Sequence, residues 1–265
     1  MLEQARQLLS QRILHNIALL KMIESYGPHI DCRLHQECGQ SALLLLLPAS
    51  LFPYDLIHYP NASAIAFLYA TDPQLLPRLL GKLPDEGAIV FKIQDNRYKP
   101  YIAHRYAYER IRAFHSYSCT ELPVPTRSTN TVIEGTMLNE TLLPLWMANG
   151  YSKDELADLF RRGARSYTIY HDGQPASTCF TFRNYEHVWE IGGVHTGEAC
   201  RGQGLAQQVA AAATQQLLSQ GLIPRYQVIE SNRASIRLAE SLGFTLAVTL
   251  EHLYGRRLDV TGAFR

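Results

Sequence analysis

Cys200-Arg201-Gly202-Gln203-Gly204-Leu205-Ala206 is the stretch on which the reading of this chain turns. The run 188–195 before it is apolar and reads as a strand, and residues 205–220 after it place Leu205, Val209, Ala213 and Leu217 at four-residue spacing, a helix closed by Gly221. The glycines therefore stand between a strand and a helix. There they let the backbone turn tightly, while the new helix contributes unpaired N–H groups and the positive end of its dipole, a cradle suited to a pyrophosphate. A glycine pair alone also describes a strand-to-helix turn with no ligand.

Working outward, residues 224–229 read as a strand, 232–242 as a helix closed by Gly243, and 244–254 as a strand with Phe244, Leu246, Val248 and Leu250 alternating onto one face. Upstream, Ser152-Lys153-Asp154-Glu155 is a capping box that opens a helix to Arg162. Residues 166–170, Asp172-Gly173 and 176–183 then make a strand, a two-residue turn and a second strand. In the N-terminal half, 2–24 carries Leu9, Ile13, Ile17, Leu20 and Ile23 on one helical stripe, stopped by Gly27-Pro28. Strands follow at 42–47, 64–69 and 88–93, with a helix at 75–83 entered through Asp72-Pro73. Residues 121–130 are rich in proline and small polar residues, which sets the domain boundary at 125/126. No internal repeat is evident.

Around the glycine loop the sequence resembles the GNAT superfamily of N-acetyltransferases. That family's coenzyme A loop reads Arg or Gln, two residues, Gly, one residue, then Gly or Ala, met here by Arg201, Gly204 and Ala206. Glu190-Ile191-Gly192-Gly193-Val194-His195-Thr196 looks like its fourth strand, and Glu230-Ser231-Asn232 and Ser241-Leu242-Gly243-Phe244 continue the likeness. The two-domain arrangement is similar to glycine N-acyltransferase-like proteins and to a bacterial group that includes antibiotic-resistance acetyltransferases.

The resemblance implies an α+β protein. Its residues 126–265 form the GNAT fold, a mixed, mostly antiparallel sheet flanked by helices, and residues 1–125 form a mixed α/β domain or a diverged half of the same fold. It implies acetyl-CoA as cosubstrate without a metal, and a small-molecule primary amine as acceptor. Backbone groups of Val194 and Thr196 would then face pantetheine, with Val194 N–H as oxyanion donor on a strand that Gly192-Gly193 allow to bulge. The backbone of Arg201, Gly202, Gln203, Gly204, Leu205 and Ala206 would hold the pyrophosphate, and Asn232 and Ser235 the pantetheine arm. Asn232 also suits a helix N-cap with no ligand at all.

Acyl transfer needs the acceptor ammonium deprotonated, for which the family commonly uses a carboxylate on this strand. Glu190 is that residue, with Trp189 and Ile191 expected to raise its pKa and a solvated strand carboxylate as the plain alternative; His195 is held in reserve. The family's usual tyrosine acid is replaced by Ala239, leaving Tyr226 or Tyr254 as substitutes. That replacement sustains a second reading, an acyl-CoA-binding regulatory or interaction module without turnover.

Other classes are weakly supported. With charged residues at 18% and a net charge of +1, the chain lacks the basic surface of a nucleic-acid binder. Its longest aliphatic run, 43–47, is far shorter than the roughly 20 residues of a membrane helix. Five cysteines without a framework spacing and no recognisable leader point to the cytoplasm. Cys32, His35 and Cys38 lack the second pair of a closed zinc site, and Cys200 reads as a space-filling residue. In the aromatic and basic stretch 97–112, the positions Ile102, Ala103, Ala107, Ile111 and Phe114 read as the buried side of a packed element rather than as a base-stacking surface. A homodimer is compatible with the sequence.

Overall fold

The computed structural model describes residues 1–122 and 130–258, and the chain forms two compact units, Met1–Phe114 with Val248–Arg265 and His115–Ala247. The boundary expected at 125/126 lies outside the described residues. The first unit runs α1 (Leu2–Ser10), α2 (Ile17–Tyr26), β1 (Asp31–Glu37), β2 (Gln40–Pro48), α3 (Pro53–His58), β3 (Ala62–Ala70), α4 (Leu76–Leu80), β4 (Ala88–Ile93), α5 (Lys99–Ala103) and β5 (Tyr106–Ser118). The second runs β6 (Ile133–Gly135), α6 (Leu143–Met147), α7 (Lys153–Arg161), β7 (Arg165–His171), β8 (Gln174–Tyr185), β9 (Val188–Thr196), α8 (Leu205–Ser219), β10 (Ile223–Ile229), α9 (Arg233–Ser241) and β11 (Thr245–Arg257). The unit boundaries fall inside β5 and β11.

Within the first unit the strand order is β1-β2-β3-β4-β11-β5, and within the second β6-β7-β8-β9-β10-β5-β11. Each contains three successive antiparallel strands joined to a fourth by a parallel pairing, β3 with β4 in one and β9 with β10 in the other. Each parallel connection passes through a helix, α4 or α8, as a parallel crossover must. Apart from the short helix α3 inserted between β2 and β3, the N-terminal unit thus repeats the α-α-β-β-β-α-β-α-β succession of the second, a repeat that the sequence does not display.

Local chemistry accounts for most elements. Asp172 and Gly173, both at positive φ, make the β7–β8 hairpin turn. The Ser152 hydroxyl caps α7 by accepting from Glu155 N–H at 3.1 Å. Two expectations change. The first helix is not continuous: the chain turns after Ser10, and the buried Asn16 amide donates to the Leu9 carbonyl at 2.8 Å, satisfying an end of α1 that water cannot reach. Along 97–112, Ile102 is buried but Ala103, Ala107 and Ile111 are exposed, because the segment is a short helix followed by strand β5 and not one continuous face.

The second unit has a core on each face of its sheet. On one, α8 and α9 cover Cys179, Ile191, Tyr226 and Val228; on the other, α6 and α7 bring Leu143, Trp146, Leu156 and Phe160 against Phe180. Neighbouring residues Cys179 and Phe180 thus face opposite ways, as strand alternation requires.

The first unit encloses an ion pair, Lys92 Nζ to Asp55 Oδ2 at 2.7 Å, with both side chains almost wholly buried. Lys92 also lies 4.5 Å from the Phe52 ring centroid. Burial pushes each group towards its neutral form against the pull of its partner. His252, bonded through Nδ1 to Tyr59 Oη at 2.8 Å, has its pKa brought down to about 2 by burial and by the charges of Lys92 and Arg112.

Asp55→Ala should cost about 3–5 kcal/mol in urea unfolding, because it strands a buried ammonium, whereas the double variant Asp55→Leu/Lys92→Met should retain more stability than the single one. His252 titrates near 6.5 in the unfolded chain but not in the folded one above pH 2. Its contribution is therefore complete above pH 6.5 and lost as pH falls, with a slope approaching ~1.4 kcal/mol per pH unit. Urea midpoints measured from pH 7 to 5 should show this slope, and His252→Gln should flatten it.

Candidate functional site

Strand β9 is interrupted at its centre. Its pairing with β8 passes from Thr178↔His195 to Phe180↔Gly192, so three steps on β9 oppose two on β8. This is a β-bulge around Gly193 and Val194. Gly193 sits at φ +60°, and a Cβ there would come within 2.7 Å of Phe180 Cδ1 and 2.9 Å of Trp146 Cδ1. At Gly192 a Cβ would lie 2.6 Å from Tyr151 Oη. Both glycines are thus demanded by aromatic side chains packed on the backbone.

The parallel pairing of β9 with β10 covers Ile223↔Val188, Pro224↔Trp189 and Arg225↔Glu190, then stops, although β9 continues to Thr196 and β10 to Ile229. Beyond the last pair the two strands part. A strand edge at this point can accept an extended amide-bearing chain as a further partner. Val194 and Thr196, the two residues expected to face pantetheine, lie on this parted length.

The glycine loop follows directly. Gly202 and Gly204 have φ of +77° and +72°, and a Cβ at either would meet nothing within 4 Å, so their backbones face open space. Gly204 is the N-cap of α8 and supplies no side chain to cap it. The first-turn N–H groups, including those of Leu205 and Ala206, have no intrahelical acceptor. Arg201, Gly202, Gln203 and Gly204 are exposed, and Arg201 Nε donates to the Thr196 carbonyl at 3.4 Å, tying loop to strand. An anion carrying two phosphates fits such a turn by its donors and dipole.

Asn232 caps α9, its Oδ1 accepting from Ser235 N–H at 3.1 Å. The cap occupies the oxygen and leaves the Nδ2 donor without an acceptor among the described hydrogen bonds. Ser235 Oγ shares a 2.8 Å hydrogen bond with Tyr226 Oη, whose pKa burial pushes up to about 12. Tyr254 stacks on Tyr59 in the first unit. Ala239 is fully buried in the core beneath α9 and offers no polar atom.

Glu190 does not share a face with Trp189 and Ile191. Those two pack towards α8, and alternation turns Glu190 the other way, so they do not desolvate it as expected from the sequence. Its partners are polar instead: Asn184 Nδ2 donates to Oε2 at 2.8 Å, and Arg225 Nη1 forms an ion pair with the same oxygen. Arg225 is held in turn by Ser116 Oγ at 2.8 Å and by Gln227 Oε1. His195 has its pKa lowered by burial and by Arg201, so it is neutral at physiological pH. Cys200 Sγ lies 4.0 Å from His171 Nδ1.

Arg225, Asn184 and Tyr151 were missed in reading the sequence. Arg225 is a cross-strand neighbour of Glu190 and becomes visible only once the register is known. Tyr151 follows Asn149-Gly150, a turn signal that went unread.

The sequence from 94 to 252 matches the family model described as GNAT acetyltransferase. Solved structures with a similar fold include GCN5-related N-acetyltransferases from Sphaerobacter thermophilus (TM-score 0.57, 12% identity, covering 91% of this chain and 85% of that one) and Kribbella flavida (0.53, 18%, 95% and 97%). A GNAT-family acetyltransferase from Colwellia psychrerythraea is also similar (0.56, 12%, 92% and 97%). At these identities the likeness shows the fold alone. No curated protein matches the sequence.

Gly193→Ala should destabilise the protein by about 2–4 kcal/mol in thermal or urea unfolding, since it combines strained φ with overpacking. Adding Phe180→Leu should recover only the packing part.

Proposed function

Because the chain belongs to the GNAT acetyltransferase family and is accordingly an acyl-CoA N-acyltransferase, we propose that it moves an acetyl or other short acyl group to a primary amine of a small molecule, by direct attack in a ternary complex. The single observation that carries this reading is the junction of a bulged, parting strand β9 with an open, uncapped glycine turn at α8. Coenzyme A supplies the activated thioester. The backbone of 201–206 holds its pyrophosphate, Val194 and Thr196 pair with its pantetheine amides, and Asn232 Nδ2 and Ser235 meet the same arm from α9.

In this mechanism Val194 N–H stabilises the negative charge that develops on the thioester oxygen, which costs no reorganisation if the donor is already fixed. Glu190 takes the proton of the attacking amine through water. Its carboxylate pairs with Arg225 and receives Asn184 on the same oxygen, so the other oxygen, Oε1, is the one that faces the water. The amine nitrogen forms the C–N bond, the C–S bond breaks, and the sulfur leaves as a thiolate with a pKa near 8.5 by analogy with cysteine, which needs little help. Tyr226, protonated at neutral pH, is the phenol available to it in the absence of a donor at Ala239.

Calorimetric titration with acetyl-CoA tests the coenzyme half: the wild type should bind and Gly204→Val, which forces a β-branched side chain to φ +72°, should not. A panel of primary amines with thiol-release detection tests the rest. Glu190→Gln should bind the coenzyme normally and lose about 10²-fold or more in rate. Well-folded protein that binds neither acetyl-CoA nor CoA would sink the proposal, and binding without amine-dependent thiol release would favour the regulatory module.

A further inference from the structure

Helix α6 ends in a Schellman motif: Gly150, at φ +92°, donates its N–H to the Met147 carbonyl at 2.9 Å, and Tyr151 N–H reaches the Trp146 carbonyl at 3.4 Å. Trp146 itself is fully buried, so the turn is anchored in the core. Two side chains leave this turn towards the β9 bulge. Asn149 Nδ2 donates to the Val194 carbonyl at 3.2 Å. The Tyr151 ring packs edge-on against Phe180 at 5.0 Å, which lays its Oη over Gly192-Gly193 and within reach of the Gly193 N–H.

The consequence follows from which peptide each group belongs to. Gly193 N–H is part of the peptide before the bulge, and the Val194 carbonyl is part of the peptide after it. Between them lies the Gly193–Val194 peptide, whose N–H is the oxyanion donor of the proposed reaction. A glycine pair has more backbone freedom than any other pair of residues, so this peptide would otherwise be free to rotate. With its two neighbours tied, it is not.

We infer that Asn149 and Tyr151 are positioning residues that clamp the peptides on either side of Gly193–Val194 and so fix the Val194 N–H towards the reacting carbonyl. This role rests on the proposed acyl transfer. The Tyr151 phenol acts as an acceptor here, and burial together with the nearby Glu190 keeps it protonated. Neither side chain touches the reacting atoms. Their effect is on transition-state stabilisation and not on coenzyme affinity, because the pyrophosphate turn at 201–206 is built independently of them and the Val194 carbonyl, holding Asn149 on one lone pair, keeps the other for a pantetheine amide.

The test uses Tyr151→Phe, which keeps the ring on Phe180 and removes only the oxygen, and Asn149→Ala. In each, kcat for the best amine substrate should fall tenfold or more while the KM for acetyl-CoA and the calorimetric Kd for CoA stay within twofold. Amide hydrogen exchange at Gly193 should quicken at least tenfold in Tyr151→Phe. Unchanged kcat in both variants, or a raised KM for acetyl-CoA at unchanged kcat, overturns the inference. The exchange measurement requires no turnover. A wild type that releases no thiol would remove the transfer reading, while unaltered exchange at Gly193 in Tyr151→Phe would by itself overturn the clamp.

Discussion

One extra residue in strand β9 is the constraint from which the rest of the second unit follows. At Gly193 the backbone enters a positive-φ conformation that L side chains avoid, and the Phe180 and Trp146 rings close on the space a side chain would need. The bulge breaks the hydrogen-bond ladder with β8, and near it β9 also leaves β10. A strand that loses partners on both sides must satisfy its amides otherwise. Asn149 meets one of these groups and Tyr151 another. What is left over is a donor and a slot, which is what a site for an extended amide ligand requires.

The first unit shows the same strand succession without that constraint. Its β2–β3 register runs from Ala42↔Ala70 to Pro48↔Ala64 with no shift, and β3 stays paired with β4 as far as Phe67↔Lys92. Among the described residues no such shift interrupts the β2–β3 ladder. After β3, where the second unit has its glycine turn, the chain reads Thr71-Asp72-Pro73-Gln74-Leu75-Leu76-Pro77. Asp72 accepts the Gln74 N–H at 2.9 Å, and the prolines have no N–H to offer. A carboxylate thus stands at this turn and takes up one of its N–H donors, Gln74, for itself. One strand succession is followed by an open glycine turn in one copy and by an acidic, proline-bearing turn in the other.

How much of this could be read from the sequence depended on range. Features written in neighbouring residues were legible: the glycine turn and its flanking strand and helix, the Asp172-Gly173 hairpin, the Ser152 cap, and the three apolar strands of the first unit. The bulge that the resemblance implied at Gly192-Gly193 is present, and the two glycines permit it. What depended on register was not legible. Arg225 beside Glu190 is a pairing across 35 positions of sequence, and nothing local announces it. The partner of Lys92 is likewise a residue of a different element, Asp55 in α3. The duplicated topology was hidden because strand order survives substitutions that erase sequence likeness, and the glycine turn that follows β9 has no counterpart in the residues that follow β3.

The first unit has one strand supplied from the far end of the chain. Strand β11 lies between β4 and β5 in its sheet and contributes the buried Glu251, His252 and Leu253, yet it follows the whole of His115–Ala247 in sequence. On the ribosome, the N-terminal unit therefore emerges first and is completed last. At about 5–20 residues per second its sheet waits on the order of ten seconds with a gap between β4 and β5. During that interval the nascent chain presents unpaired strand edges beside Phe91 and Tyr106, and truncation near the C-terminus would leave that state permanent. Completion of the first unit is, for this reason, tied to translation of residues beyond Ala247.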